Sequence, residues 1–257
     1  MTSYQFFRSG ENVLMPSWEI PPKPAELTEK RLVDAILDGT FPVNSNLPPE
    51  RELSESLGVT RPTLREALQR LSRDGWIEIR QGKATRVKDY WKEGNLLILS
   101  AIAQRQDQVT EQFVTNLLQI RLLFAPTYTR MAMQNALNPV IHLLESLQSI
   151  EDKADVFVQK DLELHQQLAV LSGNPLFALI LNGFGEIYQI MGMMYFSTSQ
   201  ARNHSRSFYK KLLSAVLSND IFAVEEVTRQ VMEDSIKIMH EALIHHKKDL
   251  EEEKNVA

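Results

Sequence analysis

Residues 47–88, LPPERELSESLGVTRPTLREALQRLSRDGWIEIRQGKATRVK, constrain the fold more than any other stretch. Glu50 to Leu57 spells a short helix with apolar Leu53 and Leu57 one turn apart. Gly58 follows, and glycine enters the left-handed region that ends a helix without a Cβ penalty. Thr60 then stands where an N-cap belongs, ahead of Arg61 and Pro62, since proline in the first turn gives up no needed hydrogen bond. From Thr63 onward, Leu64, Ala67, Leu68 and Leu71 recur at helical spacing and leave Arg61, Thr63 and Arg65 at the leading end or on the opposite face. Gly75 closes this second helix. Trp76 to Arg80 alternates, Gln81-Gly82-Lys83 turns, and Ala84 to Lys88 returns, which predicts a β-hairpin with glycine at its tip. Helix, turn, helix and wing in this order place the N-terminal residues of the second helix against base edges in a major groove.

Charge agrees. Thr60 to Lys88 holds eight basic residues against three acidic ones, a net of +5 on a chain whose total is −5. A basic segment on an acidic protein marks local contact with phosphates. Arg51, Thr60, Arg61, Pro62, Thr63, Arg65, Gln81, Gly82 and Lys83 are the expected contacts to double-stranded DNA. Lys83, Arg86 and Lys88 act mainly on phosphates.

The chain has 257 residues, enough for two ordinary domains, and is 43% hydrophobic. It has no cysteine, which excludes disulfides, cysteine-ligated zinc and iron–sulfur clusters and suits a reducing cytoplasm. No apolar run approaches the ~20 residues that span a bilayer, and residues 1–20 lack a signal-peptide layout. Enzyme motifs are missing too: no phosphate-cradling glycine loop, no nucleophile elbow and no HExxH.

The predicted fold is mainly α, in two domains. An arm over 1–24 ends in Pro21-Pro22-Lys23-Pro24. A winged helix-turn-helix domain with a small β-hairpin wing covers 25–88. Its first helix, Ala25 to Leu37, buries Leu27, Leu32, Val33, Ile36 and Leu37. A linker over 89–95 leads to an all-α helical bundle over 96–250, and a charged tail takes 251–257. Helices are expected near 96–105, 110–136, 139–151, 154–172, 175–197, 201–217 and 220–250, with a kink at Pro126. Ser172-Gly173-Asn174-Pro175 reads as a stop and restart. A bundle this large exceeds what a DNA reader needs, which leaves dimerisation and ligand sensing as its uses.

Pro49-Glu50-Arg51-Glu52-Leu53, Val59-Thr60-Arg61, Leu64-Arg65-Glu66-Ala67-Leu68 and Leu71 to Trp76 resemble the GntR family of bacterial repressors. Gln81-Gly82-Lys83, Asn116-Leu117-Leu118 with Arg121, Ser172 to Pro175, Leu179 to Gly183, Tyr195-Phe196 and Phe208-Tyr209 are similar to its fatty-acid-responsive FadR branch. The resemblance runs from about Pro24 to Leu243. It implies a cytoplasmic homodimer on a short palindromic operator, acting as repressor or activator, with no membrane partner. It also implies a long-chain acyl-CoA as effector, lying between bundle helices and changing the spacing of the two readers. Arg121, Tyr188, Tyr195 and Tyr209 match the branch's pocket positions. Of a glycine, a serine and a tryptophan on its last helix, only the serine persists, as Ser235; Met232 and Met239 replace the others. Pro62 stands where the branch has threonine.

Asp161 and His165 lie one helical turn apart on one face and can begin a metal site. Many relatives complete it with two histidines, where this chain has Tyr209 and Glu233. The FadR branch works without a metal, and the pair then bridges helices. The alternative is a GntR-type regulator that senses a metal-bound organic acid through Asp161 and His165, with Glu233 as a third ligand. An arginine at position 121 inside an apolar bundle needs a partner, for which a ligand phosphate or carbonyl could serve.

Overall fold

The computed structural model of the chain describes residues 23–105 and 109–256. The arm expected over 1–24 lies outside them except for Lys23 and Pro24. The chain divides into two compact units at Asp89/Tyr90.

The first unit holds α1 (Pro24–Leu37), α2 (Glu50–Leu57), α3 (Arg61–Asp74) and a hairpin of β1 (Ile77–Glu78) and β2 (Arg86–Val87). The punctuation read from the sequence sets these bounds. Gly58 ends α2 at φ +67° and Gly75 ends α3 at φ +95°, both left-handed. Thr60 caps α3, its hydroxyl accepting from the backbone N–H of Thr63 at 3.3 Å. Leu64, Ala67, Leu68 and Leu71 of α3 are buried with Leu32, Val33, Ile36, Leu53, Trp76 and Val87. Leu27, expected inside, is 41% exposed, and Thr28 one position on is buried in its place. Thr28 satisfies its hydroxyl by donating to the carbonyl of Pro24 at 2.7 Å, so the polar residue carries no unmet bond into the core.

The wing is shorter in strand and wider in pairing than its sequence suggests. Ile77 opposes Val87 and Glu78 opposes Arg86, two residues each, where five were expected. Residues 44–47 add a third run to β2: Asn44 and Leu47 donate to the carbonyls of Val87 and Thr85, and Val87 donates to that of Ser45.

The second unit is helical: α4 (Tyr90–Glu93), α5 (Leu97–Ala103), α6 (Glu111–Asn135), α7 (Leu137–Ser146), α8 (Ala154–Leu171), α9 (Pro175–Gly183), α10 (Gly185–Phe196), α11 (Ser199–Leu217) and α12 (Ile221–Val256). The expected linker therefore contains one helical turn. Thr110, Asn174 and Thr198 cap α6, α9 and α11 through their side chains. Gly173, at φ +75°, sits between α8 and α9 as the stop-and-restart pattern requires. The α6 helix runs unbroken through buried Pro126. The single helix expected over 175–197 is instead two, bent by 65° between α9 and α10. At that junction Gly183 brings the end of α9 so close to Leu96 that an added Cβ would lie 2.8 Å from its side chain. Among the described residues no single helix is long and apolar enough to cross a membrane. The core gathers buried residues of α6, α7, α8, α11 and α12 around Tyr128, Phe157, Leu164 and Tyr209.

Candidate nucleic-acid interface and cavity

In the first unit, α2 and α3 bring Arg51, Arg61, Pro62 and Arg65 to the surface, all exposed, with Thr63 half-buried beside them. The threonine hydroxyls of positions 60 and 63 are 2.8 Å apart, so the cap and the start of α3 form one unit. Among the described residues the guanidinium groups of Arg51 and Arg61 make no hydrogen bond or ion pair. Arg65 does: its Nε donates to Glu50 at 2.8 Å. At the hairpin tip Gln81, Gly82 and Lys83 are exposed, and Gly82 takes φ +70° in a turn closed by the Lys83 N–H donating to the Arg80 carbonyl. Arg86 donates to Glu78 at 3.1 Å and to the Asn44 side chain at 2.8 Å, which braces the hairpin.

In the second unit, helices α6, α8, α9, α10 and α12 surround a cavity of about 840 Å³, part of it open to solvent. Leu117, Leu118, Phe124, Leu162, Leu181, Ile187, Met191 and Met239 make its apolar wall. The polar side chains among its lining residues are those of Arg121, Tyr128, His165, Tyr188, Tyr195 and Ser235.

Arg121 has protein partners in the cavity wall. Its guanidinium lies over the Tyr188 ring, 4.9 Å from the centroid, and donates to Asp161 at 3.4 Å. Asp161 is 5% exposed and also accepts from the hydroxyls of Tyr188 and, at 2.7 Å, Tyr209. Burial opposes its ionisation. His165, Arg121 and the two phenol hydrogen bonds outweigh that and hold the carboxyl below its usual range. His165, 2% exposed, is pushed down to about 4, mostly by burial. It is therefore neutral at pH 7, and Arg121 is the countercharge of Asp161. The His165 Nδ1 lies 2.7 Å from the Tyr128 hydroxyl, and Nε2 faces Asp161 at 3.7 Å without a hydrogen-bond partner. Placing the proton on Nε2 lets Nδ1 accept from Tyr128 and aims an N–H at the carboxylate. Tyr195, its hydroxyl pushed up to about 12 largely by burial, lies 3.2 Å from the Ser235 hydroxyl at the cavity wall.

The structure brings Arg121, Tyr188, Tyr195 and Ser235 to one cavity. Tyr209 is not in its lining; it is buried behind and reaches the cluster only through Asp161. Met232 likewise packs into the core away from the lining, and Met239 alone of the two replacements faces the cavity. Glu233 is exposed and does not join Asp161 and His165. Among the described residues no group of three His, Cys, Asp or Glu could hold a metal ion. Sequence reading missed Tyr128 and the end of α9. Tyr128 was findable, seven residues after Arg121 and so on the same helical face.

Residues 24–87 match the bacterial regulatory proteins of the gntR family, and residues 88–251 match the FadR C-terminal domain. The chain belongs to the GntR family. Its C-terminal domain is of the FadR type, and it is a winged-helix transcription regulator rather than an enzyme. The fatty acid metabolism regulator protein of Shewanella sp. (strain MR-7) is 46% identical over 189 residues, 74% of this chain and 78% of the relative. That of Proteus mirabilis (strain HI4320) is 40% identical over 231 residues, 90% and 97%. A solved structure of Lar, described as controlling expression of the Listeria monocytogenes agr system, is 13% identical and covers 87% of this chain and 99% of that one. Its TM-score is 0.59, a likeness of fold.

Proposed function

We propose that this regulator controls fatty-acid metabolism as a cytoplasmic homodimer whose affinity for a palindromic operator falls when a long-chain acyl-CoA enters the helical domain. The observation that carries the reading is the cavity, apolar along the side chains of five helices with its few polar groups clustered around Arg121. The names of its relatives point the same way. Residues 25–88 read DNA: Arg51, Arg61, Pro62, Thr63 and Arg65 with the Thr60 cap face the major groove, and Gln81, Gly82 and Lys83 carry the wing tip into the minor groove. Residues 89–95 link this reader to the sensing and dimerising domain over 96–250, with the charged tail at 251–257. Tyr188, Tyr195 and Ser235 meet the polar head of the effector and Met239 its chain. Arg121 and Tyr209 act through Asp161.

Burying a methylene contributes about 0.8 kcal/mol, roughly a fourfold gain in affinity for each. Affinity should therefore climb with chain length until the cavity is full. Induction requires that the effector bind the DNA-incompetent state more tightly, since equal binding to both states shifts nothing. The test titrates acyl-CoAs of increasing length into the free protein and into the protein–operator complex. The proposal expects a length-dependent affinity and release of DNA by the same ligands. It fails if no chain length binds at micromolar concentration, or if binding leaves DNA affinity unchanged.

A further inference from the structure

Arg65 has an unexpected neighbour for a residue on a DNA-reading surface. Glu50, at the first position of α2, accepts from its Nε at 2.8 Å, across two helices and fifteen residues of chain. The side chains are 64% and 41% exposed, and an exposed pair of this kind does little for stability. Buried Leu53, Leu64, Ala67 and Leu68 already pack the unit. A carboxylate on this surface also repels the phosphates that provide most non-specific affinity. Its gain is geometric. Neither Nη of Arg65 is hydrogen-bonded among the described residues, so the guanidinium is held by one edge while its two-pronged end stays free. That end is what pairs with O6 and N7 of a guanine.

We propose that Glu50 is a positioning residue for base readout: it holds Arg65 by Nε and presents the Nη fork to a guanine edge, raising discrimination between duplexes at some loss of affinity for all of them. The inference rests on the reading above that Arg65 faces the operator. A different role is available to Glu50, because a carboxylate can itself accept from the N4 amino group of cytosine. A double-mutant cycle separates the two.

Full-length protein would first select a duplex from a random pool. Wild type, Glu50→Ala, Arg65→Ala and the double variant are then titrated with that duplex and with a scrambled one at fixed salt. Thermal unfolding shows that each is folded, and Glu50→Met, which keeps the length but no oxygen acceptor, serves if Glu50→Ala is not. Glu50→Ala should lower the selected-to-scrambled affinity ratio about 3- to 10-fold, the cost of ordering one long side chain at the interface. Affinity for the scrambled duplex should stay level or rise. In the Arg65→Ala background the same change should leave the ratio alone. A ratio unmoved by Glu50→Ala, while Arg65→Ala lowers it, overturns the positioning role only. An equal loss with Arg65 absent overturns it in favour of direct cytosine contact. If Arg65→Ala leaves the ratio intact, or no duplex is enriched, the DNA-reading assignment falls and takes this inference with it.

Discussion

Replacing Asp161 by asparagine tests the buried cluster most directly. The change keeps size and one acceptor oxygen but removes the charge that balances Arg121. Breaking a buried pair by deleting one member costs about 3–5 kcal/mol, because the survivor stays buried and uncompensated. Arg121 is 22% exposed at its side chain and lies over the Tyr188 ring, so some compensation remains and the lower end applies. A loss of about 3 kcal/mol lowers the melting temperature of a domain this size by roughly 6–12 °C. Scanning calorimetry of the full chain, with circular dichroism at a helix wavelength, follows the helical unit. The double variant Arg121→Met/Asp161→Asn is the companion, since it removes both charges while the amide oxygen still accepts from the phenols. It should melt closer to wild type than Asp161→Asn does. If Asp161→Asn unfolds within about 1 kcal/mol of wild type, or the double variant is the worse of the two, Arg121 and Asp161 are not the paired charges described above.

The pH dependence of stability has a sign set by His165. Above its unfolded value of 6.5 both states leave it neutral. Between pH 6.5 and about 4 only the unfolded chain takes up the proton, so stability falls as pH falls, by about 3 kcal/mol across that window. Denaturant titrations of His165→Leu should show a flatter profile over the same range; an unchanged slope would place the effect elsewhere. At the wing tip, Lys83→Gln should weaken binding to every duplex and reduce the salt dependence by about one unit. Arg86→Gln should leave that slope nearly as it was, because Glu78 and Asn44 already engage the guanidinium.

Local chemistry was legible where it is local. Gly58, Thr60, Pro62 and Gly75 punctuate the reader through their own backbone preferences, and the structure follows them residue by residue. The pairing of residues 44–47 with β2 was not legible, since hydrogen bonds between segments forty residues apart leave no periodicity behind. The break between α9 and α10 left only a weak signal: Gly183 and Gly185 lower helix propensity without forbidding a continuous helix, and the 65° bend is visible only in the fold. Candidate site residues were legible by type but not by partner. Arg121 plainly needed a counterion, yet only the fold shows that Asp161, forty positions away, supplies it.

That supply bears on the metal question raised by Asp161 and His165. A divalent ion at this carboxylate must displace three donors: the Arg121 guanidinium and the hydroxyls of Tyr188 and Tyr209. It must also take a place beside a buried, permanently charged guanidinium, and among the described residues no third His, Cys, Asp or Glu completes a site with Asp161 and His165, whose Nδ1 is already engaged by Tyr128. Zinc sites take four protein ligands, or three with an open position. The cluster instead satisfies its carboxylate with a fixed cation and phenols, much as a metal and two histidines would. The expected outcome is that excess zinc, nickel or manganese leaves the melting temperature of the helical unit unchanged, and that a chelator does likewise. Binding to the folded state alone would raise it in proportion to the logarithm of metal concentration. A rise of several degrees that disappears in Asp161→Asn would show that the ion can evict Arg121, and would revive the organic-acid sensor in place of the acyl-CoA one.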